Sequence, residues 1–379
     1  MSCNENLVRV GTRKSPLAMV QTNTVVQRLQ DIFPDKEFEI IPMSTTGDNI
    51  LDTALAKIGE KSLFTKELEL CLQKGEVDFV VHSFKDLPTT LPPGLVIGTV
   101  YKRDDEHDAV VMHPKHKGKT LETLPKGSVV GTSSLRRIAQ LQRKFPHLIY
   151  SDIRGNLNTR FKKLDEGDKY DCIVLAVAGL ERMGWSHRID QKLLPNTCMY
   201  AVSQGALAIE CRGNDKATLQ MLSTLSDYES SLRCVAERAF LKTLEGGCSV
   251  PVCVHTEIWK NQMYIRGGVF SLDGKEGYVD SNMKDLPSDD EPPRKKRASM
   301  REDGFLCVVP TGYDPEAFAR AEEAGIELAQ KIIKAGGGEM LQLIKAKMAA
   351  DIIAEKTRKE ALRKVAEAST VNVTADACC

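Results

Sequence analysis

Short runs of β-branched and other apolar residues recur along the first two thirds of the chain, each followed by a polar turn and a helical pattern. The first run, LVRVGT at 7–12, precedes a helix for which Ser15 is a good N-cap, Pro16 fits the first position and Pro34 marks the end. Comparable runs are FVVHSF (79–84), SVVGTSS (128–134), LIYSDI (148–153) and CIVLAVAGL (172–180). This alternation is typical of α/β layers with largely parallel or mixed sheets.

The last third has a different pattern, which predicts a smaller α+β domain. The predicted strands lie at 253–259, 262–271 and 305–310, and the long helical patterns at 314–334 and 339–368. Residues from about 281 to 304 include a Pro-rich stretch of mixed charge, so we predict a disordered surface insert there. Its RKKR resembles a nuclear localisation signal but stands among acidic residues, which favours a solvated linker.

Composition limits the classes of function. The 379 residues suffice for two or three domains, and 52 basic residues balance 52 acidic ones, so no net charge favours nucleic acid or a membrane surface. The N-terminus has neither a secretory apolar region nor an Arg-rich transit helix, and we expect a cytoplasmic protein. Eleven cysteines show no zinc spacing, so no metal site is expected.

Cationic residues stand near the ends of five predicted strands. Arg136 and Arg137 fall in the first turn of a helix, where the helix dipole disfavours cations by about 0.3–1 kcal/mol each. An anion bound there would explain them; the alternative is one surface arginine and one salt-bridged arginine. The other strand-end cations are Arg13, Lys14, Lys85, Arg154, Arg160 and Arg182. Since ligands of open α/β sheets bind at the carboxyl ends of strands, we predict one cleft for a multiply anionic ligand.

Asp86 and Cys248 are the remaining candidates for a chemical role. Asp86 follows Lys85 and could stabilise a developing cation or relay protons, or it could merely cap the turn before Pro88. His82, on a predicted strand, is interpreted as a core residue. Cys248 follows a Gly-Gly break and could be a packing residue, half of a disulfide, a metal ligand or an attachment point.

Ten motifs in order, over residues 7 to 345, resemble the porphobilinogen deaminase (hydroxymethylbilane synthase) family of haem biosynthesis. They are GTRKSPLA, MSTTGD, GEKSLFTKELE, VHSFKDLPT, GTSSLRR, QLQRKFPHL, IRGNLNTR, AGLERMGW, SQGALAIE and LEGGCSVPV. The residues between them are similar to those of vertebrate-type members. Two departures are Ser203, where Gly is usual, and Ser151, where Arg is common.

The resemblance implies a fold of two lobes like those of type II periplasmic binding proteins plus a C-terminal α+β domain. The implied domains are 1–103 with 204–226, 104–203 and 227–345, followed by a helical tail at 346–379 of open role. The stretch 44–63 corresponds to a loop that covers the cleft. A monomer is expected.

The implied reaction condenses four porphobilinogen molecules head to tail, with loss of ammonia, into the linear tetrapyrrole hydroxymethylbilane. A dipyrromethane cofactor would be attached through a thioether to Cys248, and Asp86 would be the catalytic carboxylate. The residues implied to bind the cofactor are Lys85, Ser133, Arg136, Arg137, Arg160, Gln204 and Gly205. Those implied to bind substrate or the growing chain are Arg13, Ser15, Arg154 and Arg182.

The alternative is a two-lobed binding protein for a polycarboxylate, with no catalysis. It would use the same arginines but would need neither Asp86 nor Cys248. A nucleic-acid binder is disfavoured by the zero net charge and the few aromatic residues near the arginines.

Overall fold

The computed structural model describes residues 6–49, 64–245, 250–287, 304–354 and 357. The first lobe consists of β1 (Leu7–Arg13), α1 (Pro16–Ile32), β2 (Glu37–Met43), α2 (Thr46–Asn49), α3 (Lys66–Gln73), β3 (Phe79–Ser83), β4 (Leu95–Tyr101), β10 (Leu207–Arg212) and α7 (Lys216–Ser223). Its sheet has the order β2-β1-β3-β10-β4, in which β1 is parallel to β2 and β3, and β10 is antiparallel to its neighbours. As predicted, Ser15 caps α1 and Pro16 opens it.

The second lobe repeats this arrangement. It consists of β5 (Asp108–Met112), β6 (Val129–Gly131), α4 (Leu135–Lys144), β7 (Ile149–Ser151), α5 (Leu157–Asp165), β8 (Cys172–Ala176), α6 (Val177–Arg182) and β9 (Gln191–Leu193). Its sheet has the order β7-β6-β8-β5-β9, and β5 is antiparallel to β8 and β9. The chain enters the second lobe at β5 and returns to the first lobe at β10. Each of these two strands is antiparallel to its neighbours in the sheet. The predicted pair of α/β lobes is confirmed.

The third domain packs three helices with a three-stranded antiparallel sheet. Its elements are α8 (Tyr228–Thr243), β11 (Val252–Trp259), β12 (Gln262–Phe270), β13 (Gly277–Asp285), α9 (Pro315–Ile332) and α10 (338–354). A Cβ at Gly325 would lie 2.0 Å from the carbonyl oxygen of Ala236, so only glycine lets α9 approach α8 this closely. The resulting core is continuous with that of the first lobe.

Two chain segments, 102–107 and 199–206, cross between the lobes, and Glu237 of α8 binds both. Its carboxylate accepts hydrogen bonds from Arg103 Nη1 at 2.6 Å and from the Ser203 backbone N–H at 2.6 Å. Thr256 of β11 donates to the same carboxylate at 2.6 Å. The third domain is therefore fastened to the crossings rather than to one lobe alone.

Several local predictions were wrong. The run 172–180 is not one strand, because β8 ends at Ala176 and α6 takes the rest. The predicted strand at 305–310 is reduced to isolated bridges, in which Val308 pairs with Ile97 and Phe305. Residues 281–285 of the predicted insert belong to β13, a mostly polar edge strand with little hydrophobic signal. The rest of the insert up to 303, and residues 50–63 of the predicted loop, lie outside the described residues.

Candidate active site between the lobes

A cavity of ≈ 110 Å³ lies between the two lobes, at the ends of β3 and β8 and beside the crossing at Gly205. Four of the strand-end cations line it: Lys85, Arg137, Arg160 and Arg182. Their elements come from both lobes, so closure of the lobes would enclose whatever these cations bind. Four of the five strand ends identified in the sequence thus meet around one space, whereas Arg13, Lys14, Arg136 and Arg154 do not line it.

The turn that carries Lys85 and Asp86 is anchored by the buried side chain of Phe84. β3 ends at Ser83, and a single 3₁₀ turn over Phe84–Asp86 follows. Phe84 is fully buried, and the Arg238 guanidinium lies 4.5 Å from its ring centroid. Lys85 is therefore half-buried and Asp86 is exposed. His82 is in the core, as predicted, with Nε2 2.9 Å from Glu210 Oε2.

The cleft holds positive charge in a partly desolvated place. Burial lowers the pKa of Lys85 to about 8, against the opposing effect of Asp86 and with the help of Arg137. Burial and Arg137 likewise lower the pKa of Arg160 to about 10. Lys85 Nζ donates to Gln204 Oε1 at 3.4 Å, and Arg160 Nε donates to the carbonyl oxygen of Gly155 at 2.8 Å. An added anion would raise the pKa of both cations again, because a nearby negative charge favours their charged forms.

Arg136 and Arg137 share a buried counter-ion that the sequence analysis missed. Asp108, the first residue of β5, lies 2.7 Å from Arg136 Nη1 and 2.7 Å from Arg137 Nη2. Burial opposes the charged carboxylate, but the two guanidinium groups hold the pKa of Asp108 well below its ordinary value. Both arginines are buried and paired, so the alternative with one surface arginine was wrong. Arg136 also donates to the carbonyl oxygen of Met199, and Arg137 is the one that lines the cavity.

Three other candidate substrate-binding cations contact groups of the protein. Arg182 Nε lies 2.8 Å from Asp104 Oδ2, and its Nη2 donates to the Gly205 carbonyl oxygen at 2.6 Å. Arg154 Nε lies 2.6 Å from Asp152 Oδ2. The Arg13 guanidinium lies over the ring of Phe64, 4.3 Å from its centroid. These contacts orient the side chains before any ligand arrives.

The two candidate serines have local backbone roles. Ser15 Oγ accepts a hydrogen bond from the Ala18 N–H at the start of α1. Ser133 Oγ donates to the carbonyl oxygen of Ile153 at 2.6 Å, which ties the loop after β6 to the loop after β7. Ser134 is at the N-cap position of α4 but makes no side-chain capping bond.

The second crossing brings Gln204 and Gly205 next to the first crossing and to Asp108. Gln204 Nε2 donates to Asp108 Oδ1 at 2.9 Å and to the carbonyl oxygen of Glu106 at 2.7 Å. Gly205 has φ +89°, and a Cβ there would lie 2.6 Å from the carbonyl oxygen of Asp104. Only glycine therefore permits this approach of the two crossings. Cys248 lies outside the described residues.

The family model "Porphobilinogen deaminase, dipyromethane cofactor binding domain" matches residues 8–220, which contain both lobes and every charged side chain of the cleft. The chain belongs to the porphobilinogen deaminase family. A second model, "Porphobilinogen deaminase, C-terminal domain", matches residues 231–293.

Curated relatives agree with this assignment. The porphobilinogen deaminase of Synechococcus elongatus is 54% identical over 268 residues, covering 71% of this chain and 83% of that protein. The porphobilinogen deaminase of a Prochlorococcus marinus strain is 47% identical over 337 residues, covering 89% and 96%. These relatives are cyanobacterial and give no support to a vertebrate-type member.

Solved structures also match in part. The VFT2 domain of Bordetella pertussis BvgS has a TM-score of 0.35 at 14% identity, covering 58% of this chain and 86% of that one. An ancestral arginine-binding protein has a TM-score of 0.32 at 15% identity, covering 58% and 90%. At these TM-scores we base no conclusion on the likeness.

The cleft fits the cofactor of the porphobilinogen deaminase family. A dipyrromethane carries carboxylates, and the cavity gathers Lys85, Arg137 and Arg160, of which Lys85 and Arg160 have a pKa lowered by burial. Charge-assisted hydrogen bonds to an anion would replace the lost hydration of these cations. Among the described residues, no group of three or more His, Cys, Asp and Glu side chains could hold a metal ion. None of the described helices is long and apolar enough to cross a membrane.

Proposed function

We propose that this chain condenses four porphobilinogen molecules head to tail, releasing ammonia each time, to form hydroxymethylbilane. The observation that carries the proposal is the cluster of half-buried cations between the lobes, with the exposed carboxylate of Asp86 at its edge. When bound, the dipyrromethane supplies the pyrrole primer to which substrate units are joined. Cys248 is its proposed attachment point.

The cations bind carboxylates in this proposal. Lys85, Arg137 and Arg160 would hold those of the cofactor, and each charge-assisted hydrogen bond of this kind is worth roughly 1.5–3 kcal/mol. Arg136 would act through Asp108, which it shares with Arg137. Ser133, Gln204 and Gly205 would support the same group from the neighbouring loops. Arg13, Ser15, Arg154 and Arg182 would receive the incoming substrate and the lengthening chain.

Asp86 is the proposed catalytic residue. Its negative charge acts on Lys85 and Arg160, so it lies close to where substrate carboxylates would bind. There it would stabilise the positive charge that develops on the substrate as ammonia leaves, and it would accept or return a proton. The rigid turn above buried Phe84 keeps this carboxylate in place.

The reaction would serve haem or other tetrapyrrole biosynthesis, with porphobilinogen and the growing chain as the only small-molecule partners. We infer a cytoplasmic monomer that binds neither nucleic acid nor membranes. The balanced charge of 52 basic and 52 acidic residues supports the part of this inference that concerns nucleic acid and membranes.

The test is the intact mass of the purified, denatured protein. The expected result is a mass excess of two linked pyrrole units that peptide mapping places on Cys248. Cys248→Ser should lose the excess, and Cys253→Ser, at a buried thiol of β11, should keep it. An unmodified wild-type thiol that gains no mass with porphobilinogen or hydroxymethylbilane would overturn the proposal in favour of a binding protein.

A further inference from the structure

A second cavity, of ≈ 510 Å³, lies where the first crossing, the second lobe and the third domain meet. Its lining comes from the first crossing at Glu106 and His107, from the loop 194–196 after β9, and from β11 and β12. It shares no lining residue with the cleft of the proposed active site. A volume of this size is within the range of small-molecule sites.

One face of the β11–β12 pair forms a wall of this cavity. His255 pairs with Arg266 and Glu257 pairs with Tyr264, so these four side chains share one face of the sheet. The rings of His255 and Tyr264 meet edge-on, with their centroids 6.3 Å apart. Leu194, 53% exposed, and Pro195 supply apolar surface from the second lobe.

Two residues on this wall, Arg266 and Tyr264, carry hydrogen-bond donors at the cavity. Among the described residues, neither the Arg266 guanidinium nor the Tyr264 hydroxyl has a hydrogen bond or an ion pair, although both residues are half-buried. The acids of the cavity are already engaged: Glu106 pairs with Arg233 at 2.5 Å, and Glu257 lies 3.0 Å from His255 Nε2 with its side chain 66% exposed. Both side chains line the cavity, so their donors are available to a ligand that supplies acceptors.

We propose that this cavity binds a small organic carboxylate with a planar ring. Arg266 and Tyr264, two positions apart on β12, donate to the carboxylate, and the guanidinium fork suits such an acceptor. The ring packs between the edges of His255 and Tyr264 and the apolar surface of Leu194 and Pro195.

This site is connected to the cleft by two hydrogen bonds. The Glu106 carbonyl oxygen accepts from Gln204 Nε2 at 2.7 Å, and Gln204 Oε1 accepts from Lys85 Nζ at 3.4 Å. A ligand that holds the first crossing against the second lobe and the third domain restrains lobe movement. It therefore changes kcat without competing with substrate in the cleft.

The binding test uses isothermal titration calorimetry with benzoate and with benzamide, its uncharged counterpart. Benzoate should bind the wild type, and Arg266→Gln should weaken that binding at least 10-fold. Tyr264→Phe, which keeps the ring, should weaken it less, and benzamide should bind poorly. The control is Lys275→Gln, which removes a positive charge from a side chain 83% exposed and outside the cavity, and should bind like the wild type.

The kinetic test uses the same variants as the loaded enzyme. Benzoate should change kcat of the wild type and of Lys275→Gln, but not of Arg266→Gln, whose rate without benzoate should be normal. Benzoate binding that is unaffected by Arg266→Gln, or a rise in KM alone in every variant, would place the carboxylate in the cleft and overturn the inference. Absence of binding to the wild type at millimolar benzoate would overturn it as well, whether or not the chain proves to be an enzyme.

Discussion

Asp108 Oδ1 lies 2.7 Å from Arg137 Nη2, so the arginine that lines the cleft is held by an acid at the start of β5. The other carboxylate oxygen binds Arg136, which also donates to the carbonyl oxygen of Met199. One buried charge thus fixes the direction of both arginines. It directs one into the cleft and the other to the crossing between the lobes.

Asp108→Asn should lower the free energy of unfolding by about 3–5 kcal/mol, because it leaves two buried cations without their counter-charge. Urea denaturation of the variant and the wild type measures this loss. Asp165→Asn is the matched control, because it breaks a more exposed pair with Arg188 and should cost less than about 1 kcal/mol. Equal losses in the two variants would show that Asp108 contributes no more than a surface acid.

Asp86→Asn should reduce the rate of hydroxymethylbilane formation at least about 100-fold, since it removes the charge proposed to stabilise the transition state. Asp86 is exposed, so the free energy of unfolding should change by no more than about 0.5 kcal/mol. Initial rates and the intact mass of the loaded enzyme are measured together. Asp35→Asn, at another exposed acid of the first lobe, should leave the rate unchanged. A near-normal rate in Asp86→Asn would remove Asp86 from the mechanism.

Lys85→Met should stabilise the cofactor-free protein at pH 7 by roughly 1–3 kcal/mol, because burial disfavours the charged lysine in the folded state. Burial lowers the pKa of Lys85 to about 8 from 10.5. Below pH 8 the lysine is charged in both the folded and the unfolded state, so the full free-energy cost of burying its charge is present. Between pH 8 and 10.5 the unfolded state binds more protons, so wild-type stability rises with pH.

The advantage of Lys85→Met should therefore shrink over that interval and vanish above it. Urea denaturation across pH measures the difference, with Cys248→Ala in both proteins to prevent cofactor attachment. Lys74→Met, at a side chain 65% exposed, should show no such pH dependence. A constant difference from pH 7 to 10.5 would mean that the gain comes from packing rather than from charge.

Ser203→Gly should raise the free energy of unfolding by about 0.5–1 kcal/mol, because Ser203 has φ +60°, a conformation that glycine adopts without strain. Urea denaturation measures the gain, and activity should be retained. Ser203→Ala keeps the Cβ and should give no comparable gain. A similar gain from alanine would assign the effect to removal of the buried hydroxyl.

Much of the cleft could be predicted from the sequence because its parts are local. Lys85 follows a short apolar strand of the first lobe, and Arg137 and Arg182 follow strands of the second lobe. Ligands bind at the carboxyl ends of such strands, and here these ends face the same cleft. Asp108 could not be found this way: it lies 28 positions before Arg136, and only the antiparallel placement of β5 beside β8 brings the two together. The sequence shows that Ser203 stands where the family usually has Gly, but the reason, its positive φ, is seen only in the structure.

The two crossings between the lobes are bound to a single carboxylate, that of Glu237. With both crossings fastened to one point, the lobes can turn about it but cannot separate by sliding apart. Rotation of the lobes about Glu237 would widen the cleft much more at a distance from this residue than next to it. Space for a longer product would therefore come mainly from the distant part of the cleft. The maximum length of the product would accordingly be set by how far the lobes can rotate, so a geometric stop could end synthesis without any chemical signal.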